Sequence, residues 1–130
     1  MKKRILIIDD EEDLCNLLKV SFEFRKFKTF IAHDGEEGLR LVHKKKPDAI
    51  VLDVMMPKIN GYDLVNRLKE KEEHREIPIL ILTCVTSDSN RSDEEWRDSI
   101  GVNDFISKPC DPIEIVDRVE KMLSKTSPRH

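Results

Sequence analysis

Ile50-Val51-Leu52-Asp53-Val54-Met55-Met56-Pro57 is a run of β-branched and leucine side chains that meets an aspartate and then breaks at a proline. Without polar alternation, such a run reads as a strand covered on both faces, the kind found in parallel sheets. Ala49 to Leu52 is therefore predicted as a buried strand, and Ile5 to Ile8 and Ile79 to Leu82 repeat its composition. Phe27 to Ala32 and Asn103 to Ser107 are shorter and more polar, as suits strands nearer a sheet edge.

Helical patterns fill the intervals. Leu14, Leu17, Leu18 and Phe22 share one face at helical spacing, and Leu64, Val65 and Leu68 repeat the pattern after Gly61. Glu36 to His43 reads as a weaker helix: Gly38 costs about 1 kcal/mol against alanine, while Leu39 and Val42 keep an apolar stripe. Asp88 to Asp98 offers a fourth, almost wholly polar helix with Trp96 and Ile100 as its anchors. The last is clearly marked by Asp111 as N-cap, Pro112 at the first helical position and Glu114 three residues after the cap, followed by Ile115, Val116, Val119, Met122 and Leu123, with an end near Ser124. Strand and helix alternating five times imply right-handed crossovers and an open, doubly wound α/β sheet with helices on both faces.

The 130 residues suit one domain around a single core, with residues 125–130 a tail or linker. A composition 38% hydrophobic and 38% charged is that of a folded, well-solvated chain. The net charge of -3 provides no large positive field for a polyanion, which argues against direct nucleic-acid binding. Cys15, Cys84 and Cys110 show neither CxxC nor Cys/His spacing, so neither a disulfide framework nor a zinc site is expected. His33, His43, His74 and His130 show no ligand spacing either and read as solvated. The short run Ile5 to Ile8 meets Asp9 and Asp10 too soon for a signal peptide or membrane span, so the expected compartment is the cytoplasm.

In open parallel sheets ligands bind beyond the carboxyl ends of the strands. Strand one ends on Asp9 and Asp10, strand three on Asp53 and strand four on Thr83, and strand five is followed by Lys108 and Pro109. Three carboxylates brought close together repel by several kcal/mol per pair at an effective dielectric of about 20, and a hard divalent cation would neutralise them. Mg²⁺ takes oxygen ligands, keeps several waters and commonly binds with phosphate, which matches acids beside a lysine. Metal-assisted phosphoryl chemistry is the expected reading.

Asp9-Asp10, the run Asp53 to Pro57 with Gly61 beyond it, Thr83, Phe105 and Lys108-Pro109 resemble a CheY-like response regulator receiver domain, over Lys3 to about Ser124. The resemblance implies a single flavodoxin-like (βα)5 domain, residues 1–124, with a five-stranded sheet of order 2-1-3-4-5. It implies that Asp53 accepts a phosphoryl group from a sensor histidine kinase or histidine phosphotransfer protein, and that Asp9, Asp10, Asp53 and the Met55 backbone carbonyl hold Mg²⁺, Asp9 through a water. Lys108 would pair with the phosphoryl oxygens, Thr83 would move to hydrogen-bond them, and Phe105 would be the switch aromatic that turns inward with Thr83. It further implies a cis Lys108-Pro109 peptide. Effector or homodimer contacts are expected on the face of the fourth helix, fifth strand and fifth helix. The chain is read as a regulator rather than an enzyme, either standing alone or as the receiver part of a longer protein.

Two departures stand out. The loop at Val85 to Asp93 exceeds the family's usual length by about three residues, and Met55 and Val85 are apolar where polar side chains often orient an attacking water. Slow hydrolysis of the aspartyl phosphate is the expectation. Cys84, next to Thr83, is small enough to admit a phosphoryl group. A haloacid dehalogenase-like phosphatase would need Asp-x-Asp after the first strand, where Asp9-Asp10 are adjacent. A flavin carrier would want a Ser/Thr/Gly-rich loop there, whereas the acids from Asp10 to Asp13 would repel its phosphate. A receiver that docks without being phosphorylated is the remaining alternative.

Overall fold

Each apolar run forms a strand: β1 (Arg4–Ile8), β2 (Lys28–Ala32), β3 (Ala49–Asp53), β4 (Ile79–Cys84) and β5 (Asp104–Lys108). They pair in parallel in the order β2-β1-β3-β4-β5, the order expected. The structure is a computed structural model that describes residues 2–53, 61–84, 104–108 and 111–125; for Gly61, Tyr62, Thr83, Cys84, Lys108 and Lys125 it describes the backbone. Met55, the loop at Val85 to Asp93, the predicted fourth helix with Trp96 and Ile100, the Lys108-Pro109 peptide and residues 126–130 of the predicted 125–130 tail lie outside the described residues, whereas Lys125 closes the last helix.

The described α-helices are α1 (Glu12–Phe24), α2 (Gly35–Lys45), α3 (Gly61–Glu70) and the C-terminal α4 (Pro112–Lys125), with a 3-10 turn at Glu72–His74. Their starts follow local chemistry. Asp34 caps α2 by accepting from the Glu37 backbone N–H at 2.8 Å, so that helix begins one residue earlier than predicted. Asp111 accepts from the Ile113 N–H at 2.9 Å and Pro112 opens α4, as its sequence requires. α2 closes on Lys46, whose N–H completes the last helical bond to the Val42 carbonyl and whose left-handed φ of 49° turns the chain out of the helix.

Alternate residues of each strand feed different layers. Ile5, Ile7, Val51, Leu80 and Leu82 pack with Leu18, Phe22, Val116 and Val119 of α1 and α4. Leu6, Ile8, Ile50, Leu52 and Ile81 pack with Val42, Leu64 and Leu68 of α2 and α3. This two-sided burial explains why β1 and β3 lack polar alternation.

Three expectations need correction. Leu17 is 57% exposed; the buried stripe of α1 is Cys15, Leu18 and Phe22, and Leu17 lies about 100° around the helix from Leu18, outside that stripe. Together with Val20, Phe24 and Ile113 it leaves apolar side chains at the surface. His74, expected to be solvated, is buried by the 3-10 turn, which sets its ring edge-on to His43. Gly38 is more than a weak point in α2, because a Cβ there would stand 2.7 Å from Ile8 Cδ1. Its missing side chain lets the helix approach β1 closely.

Candidate functional site

Pairing register gathers the acids. Ile8 stands opposite Leu52 in the β1–β3 ladder, and Asp53 is opposite Leu82 in the β3–β4 ladder. Asp9, the next residue after Ile8, continues the run of β1 by donating its N–H to the Ala32 carbonyl at 3.0 Å, which brings it level with Asp53. Asp10 follows at the turn into α1. Carboxylate oxygens of Asp9, Asp10 and Asp53 all lie within 4.8 Å of one another, with Asp9 and Asp53 buried and Asp10 exposed.

The Asp9 main chain and side chain are both anchored. Its Oδ1 accepts the Glu11 N–H at 2.9 Å, which holds the turn that opens α1. Its carbonyl accepts the Cys15 thiol at 3.3 Å, and His33 Nδ1 lies at the same distance from it. Neither Cys15 nor His33 was singled out as part of the site by its sequence context. Helical periodicity on the Cys15, Leu18, Phe22 stripe could have found Cys15; nothing local identifies His33.

Two buried carboxylates at this separation repel by about 3 kcal/mol at an effective dielectric near 20. Their oxygens are hard donors, and the exposed Asp10 keeps one side open to water and ligand. This donor set fits a Mg²⁺ ion, which binds through few carboxylates and retains waters, better than a soft or imidazole-seeking metal.

Other predicted residues reach the same edge through the backbone. Thr83 is paired with Ser107 and Cys84 with Lys108, so Thr83 and Lys108 stand at the carboxyl ends of neighbouring strands, β4 beside β3 and β5 one strand further out. Phe105 pairs with Ile81 and is half-buried against the α2/α3 layer of the core. Met55 lies outside the described residues.

Residues 5–120 match the family model of the response regulator receiver domain. The alkaline phosphatase synthesis transcriptional regulatory protein PhoP of Bacillus subtilis is 36% identical over 130 residues, covering 97% of this chain and 50% of that protein. The response regulator SaeR of Staphylococcus aureus is 32% identical over 126 residues, 97% of this chain and 53% of its own length. The chain thus spans about half the length of the curated relatives it matches. Among solved structures, the receiver domain of Francisella response regulator 1452 superposes with a TM-score of 0.82 at 29% identity, covering 97% of this chain and all of that one.

Proposed function

The chain belongs to the response regulator receiver domain family, whose place is in two-component signalling, and on that premise we propose that it is a phospho-accepting switch with Asp53 as acceptor. An Asp53 carboxylate oxygen forms a bond to the phosphorus of a phosphohistidine on a sensor kinase or phosphotransfer protein. The phosphorus–nitrogen bond breaks as it forms, and its electron pair returns to the donor imidazole. The product is an aspartyl phosphate.

Asp10, Asp53 and the Met55 carbonyl are the residues we assign to Mg²⁺, with Asp9 acting through a water. When bound, the ion neutralises charge on the transferring phosphoryl group. Lys108 pairs with the phosphoryl oxygens, and the Thr83 hydroxyl hydrogen-bonds them after transfer. Movement of Thr83 lets Phe105 turn inward, so a bond made at the site repacks the face of β5 and the adjoining helices. That face, including the helix predicted over Asp88 to Asp98, is where an effector or a second copy docks.

The observation that carries this reading is the row of three carboxylates at one sheet edge, two of them buried, within 4.8 Å. Support for the rest comes from the β4–β5 register, which brings Thr83 and Lys108 to the same edge. The chain is a regulator that undergoes self-catalysed phosphoryl uptake and slow loss, and it is not a turnover enzyme. Its net charge of -3 supports protein rather than nucleic-acid partners for this segment. Among the described residues no helix is long and apolar enough to cross a membrane, and we assign the protein to the cytoplasm.

Intact-mass measurement with Mg²⁺ and acetyl phosphate tests the assignment. The wild-type chain gains one phosphate and Asp53→Asn gains none. Equal gain in both, or gain without Mg²⁺, overturns it.

A further inference from the structure

Away from the acids, at the opposite edge of the sheet, the last turn of α2 meets the 3-10 turn that leads into β4. His43 comes from the first and Glu73 and His74 from the second. One Glu73 oxygen, Oε1, lies 3.9 Å from His43 Nδ1 and 3.8 Å from His74 Nε2. The two rings stand edge to face, with centroids 6.2 Å apart and planes at 81°. All three donor atoms fall within 4.8 Å of one another.

These separations are too long for direct hydrogen bonds between the three groups. They are close to what an ion shared among them requires: metal–ligand bonds of about 2.0–2.2 Å in a tetrahedral sphere set neighbouring donors about 3.4 Å apart. Closing the two Glu73 gaps takes about half an ångström, and drawing the two imidazoles together, from within 4.8 Å, takes at most about 1.4 Å; the two exposed members can supply both movements. His43 and Glu73 side chains are 69% and 58% exposed, whereas His74 is 8% exposed and held by its turn. One fixed imidazole thus stands between two adjustable donors, with solvent left for the remaining position.

We propose that His43, Glu73 and His74 bind a divalent transition-metal ion, with Zn²⁺ the representative, and so tie the end of α2 to the turn before β4. Two imidazoles and one carboxylate suit Zn²⁺ or its neighbours in the late first row; Mg²⁺ prefers an all-oxygen set such as the acid cluster. The two sites therefore select different ions on chemical grounds. His43 is far from the other two in sequence, so no ligand spacing announces the group; α2 and the 3-10 turn meet only in the folded chain.

Zn²⁺ titration of the whole chain by calorimetry, with Mg²⁺ saturating, tests the proposal together with the ring-nitrogen resonances of the histidines. The expected result is one Zn²⁺ bound, shifts at His43 Nδ1 and His74 Nε2, and at least tenfold weaker binding in His43→Ala and in Glu73→Gln. Asp53→Asn, which removes the proposed phospho-acceptor, retains the site. At free Zn²⁺ about a hundredfold above the dissociation constant, the unfolding equilibrium of the wild-type chain shifts about a hundredfold toward the native state. His43→Ala loses that shift. Three results overturn the proposal: no Zn²⁺ binding, binding that is unchanged in His43→Ala, or binding at cysteines that leaves both ring resonances where they were. Loss of the site in Asp53→Asn also counts against it, because it assigns the ion to the acid cluster.

Discussion

Asp9 and Asp53 stand in one row of the sheet: Ile8 is paired with Leu52, and each aspartate is the residue that follows its pair member, on adjacent strands. Both are buried, and their carboxylates lie within 4.8 Å. The fold thus concentrates negative charge where β1 and β3 end, a cost that the Mg²⁺ proposed above would offset.

Asp9→Asn separates charge from shape, since an amide oxygen can still accept the Glu11 N–H bond that Asp9 makes. In a chelator the variant is expected to be more stable than wild type by about 1 kcal/mol, part of the repulsion it relieves. Mg²⁺ raises the urea midpoint of wild type and raises that of the variant much less. An identical Mg²⁺ response in the two proteins would show that Asp9 takes no part in holding the ion.

Lifetime of the phosphorylated form is open to substitution at Met55 and Val85. An asparagine at 55 and a glutamate at 85 supply groups that can orient or activate water, so the double variant is expected to lose its phosphate about 10- to 100-fold faster. Phosphate release timed after removal of the donor measures this. Equal half-lives for the two proteins exclude any control by these side chains.

Gly38→Val probes the contact between α2 and β1. The small gain in helix propensity that valine brings over glycine is outweighed because a Cβ meets Ile8 Cδ1 at 2.7 Å, and Ile8 is fully buried. The expected loss is about 2 kcal/mol, in the range of overpacked cores. Denaturant unfolding checks it; a variant as stable as wild type would mean that Ile8 relaxes freely.

Protonation of His74 links stability to pH. Burial lowers its pKa below the ordinary value of 6.5; the carboxylate of Glu73 opposes this, and the charges of Lys71 and His43 add to it. As pH falls through 6.5, the ring of the unfolded chain takes up a proton before the native ring does. The unfolded state then binds more protons, so stability declines on acidification and is restored above 6.5, where both rings are neutral. Chelator-treated protein should show this decline in its urea midpoint. An NMR titration placing the His74 midpoint at or above 6.5 removes the cause.

Strands β1, β3 and β4 were legible because a strand covered on both faces must be apolar at every position, a property that short windows display. The start of α4 was equally legible, since Asp111 and Pro112 act on their nearest neighbours through one hydrogen bond and one fixed dihedral. Chain order likewise indicated that Asp9, Asp10, Asp53, Thr83 and Lys108 belong at strand ends. Which carboxylates share a row depended on the Ile8–Leu52 register, a pairing between distant segments. The exposure of Leu17, the burial of His74 beside His43 and the clash space at Gly38 also came from how helices rest on the sheet. Local backbone chemistry is written in adjacent residues; contacts across layers arise only when the chain closes on itself, and there the tertiary structure decided.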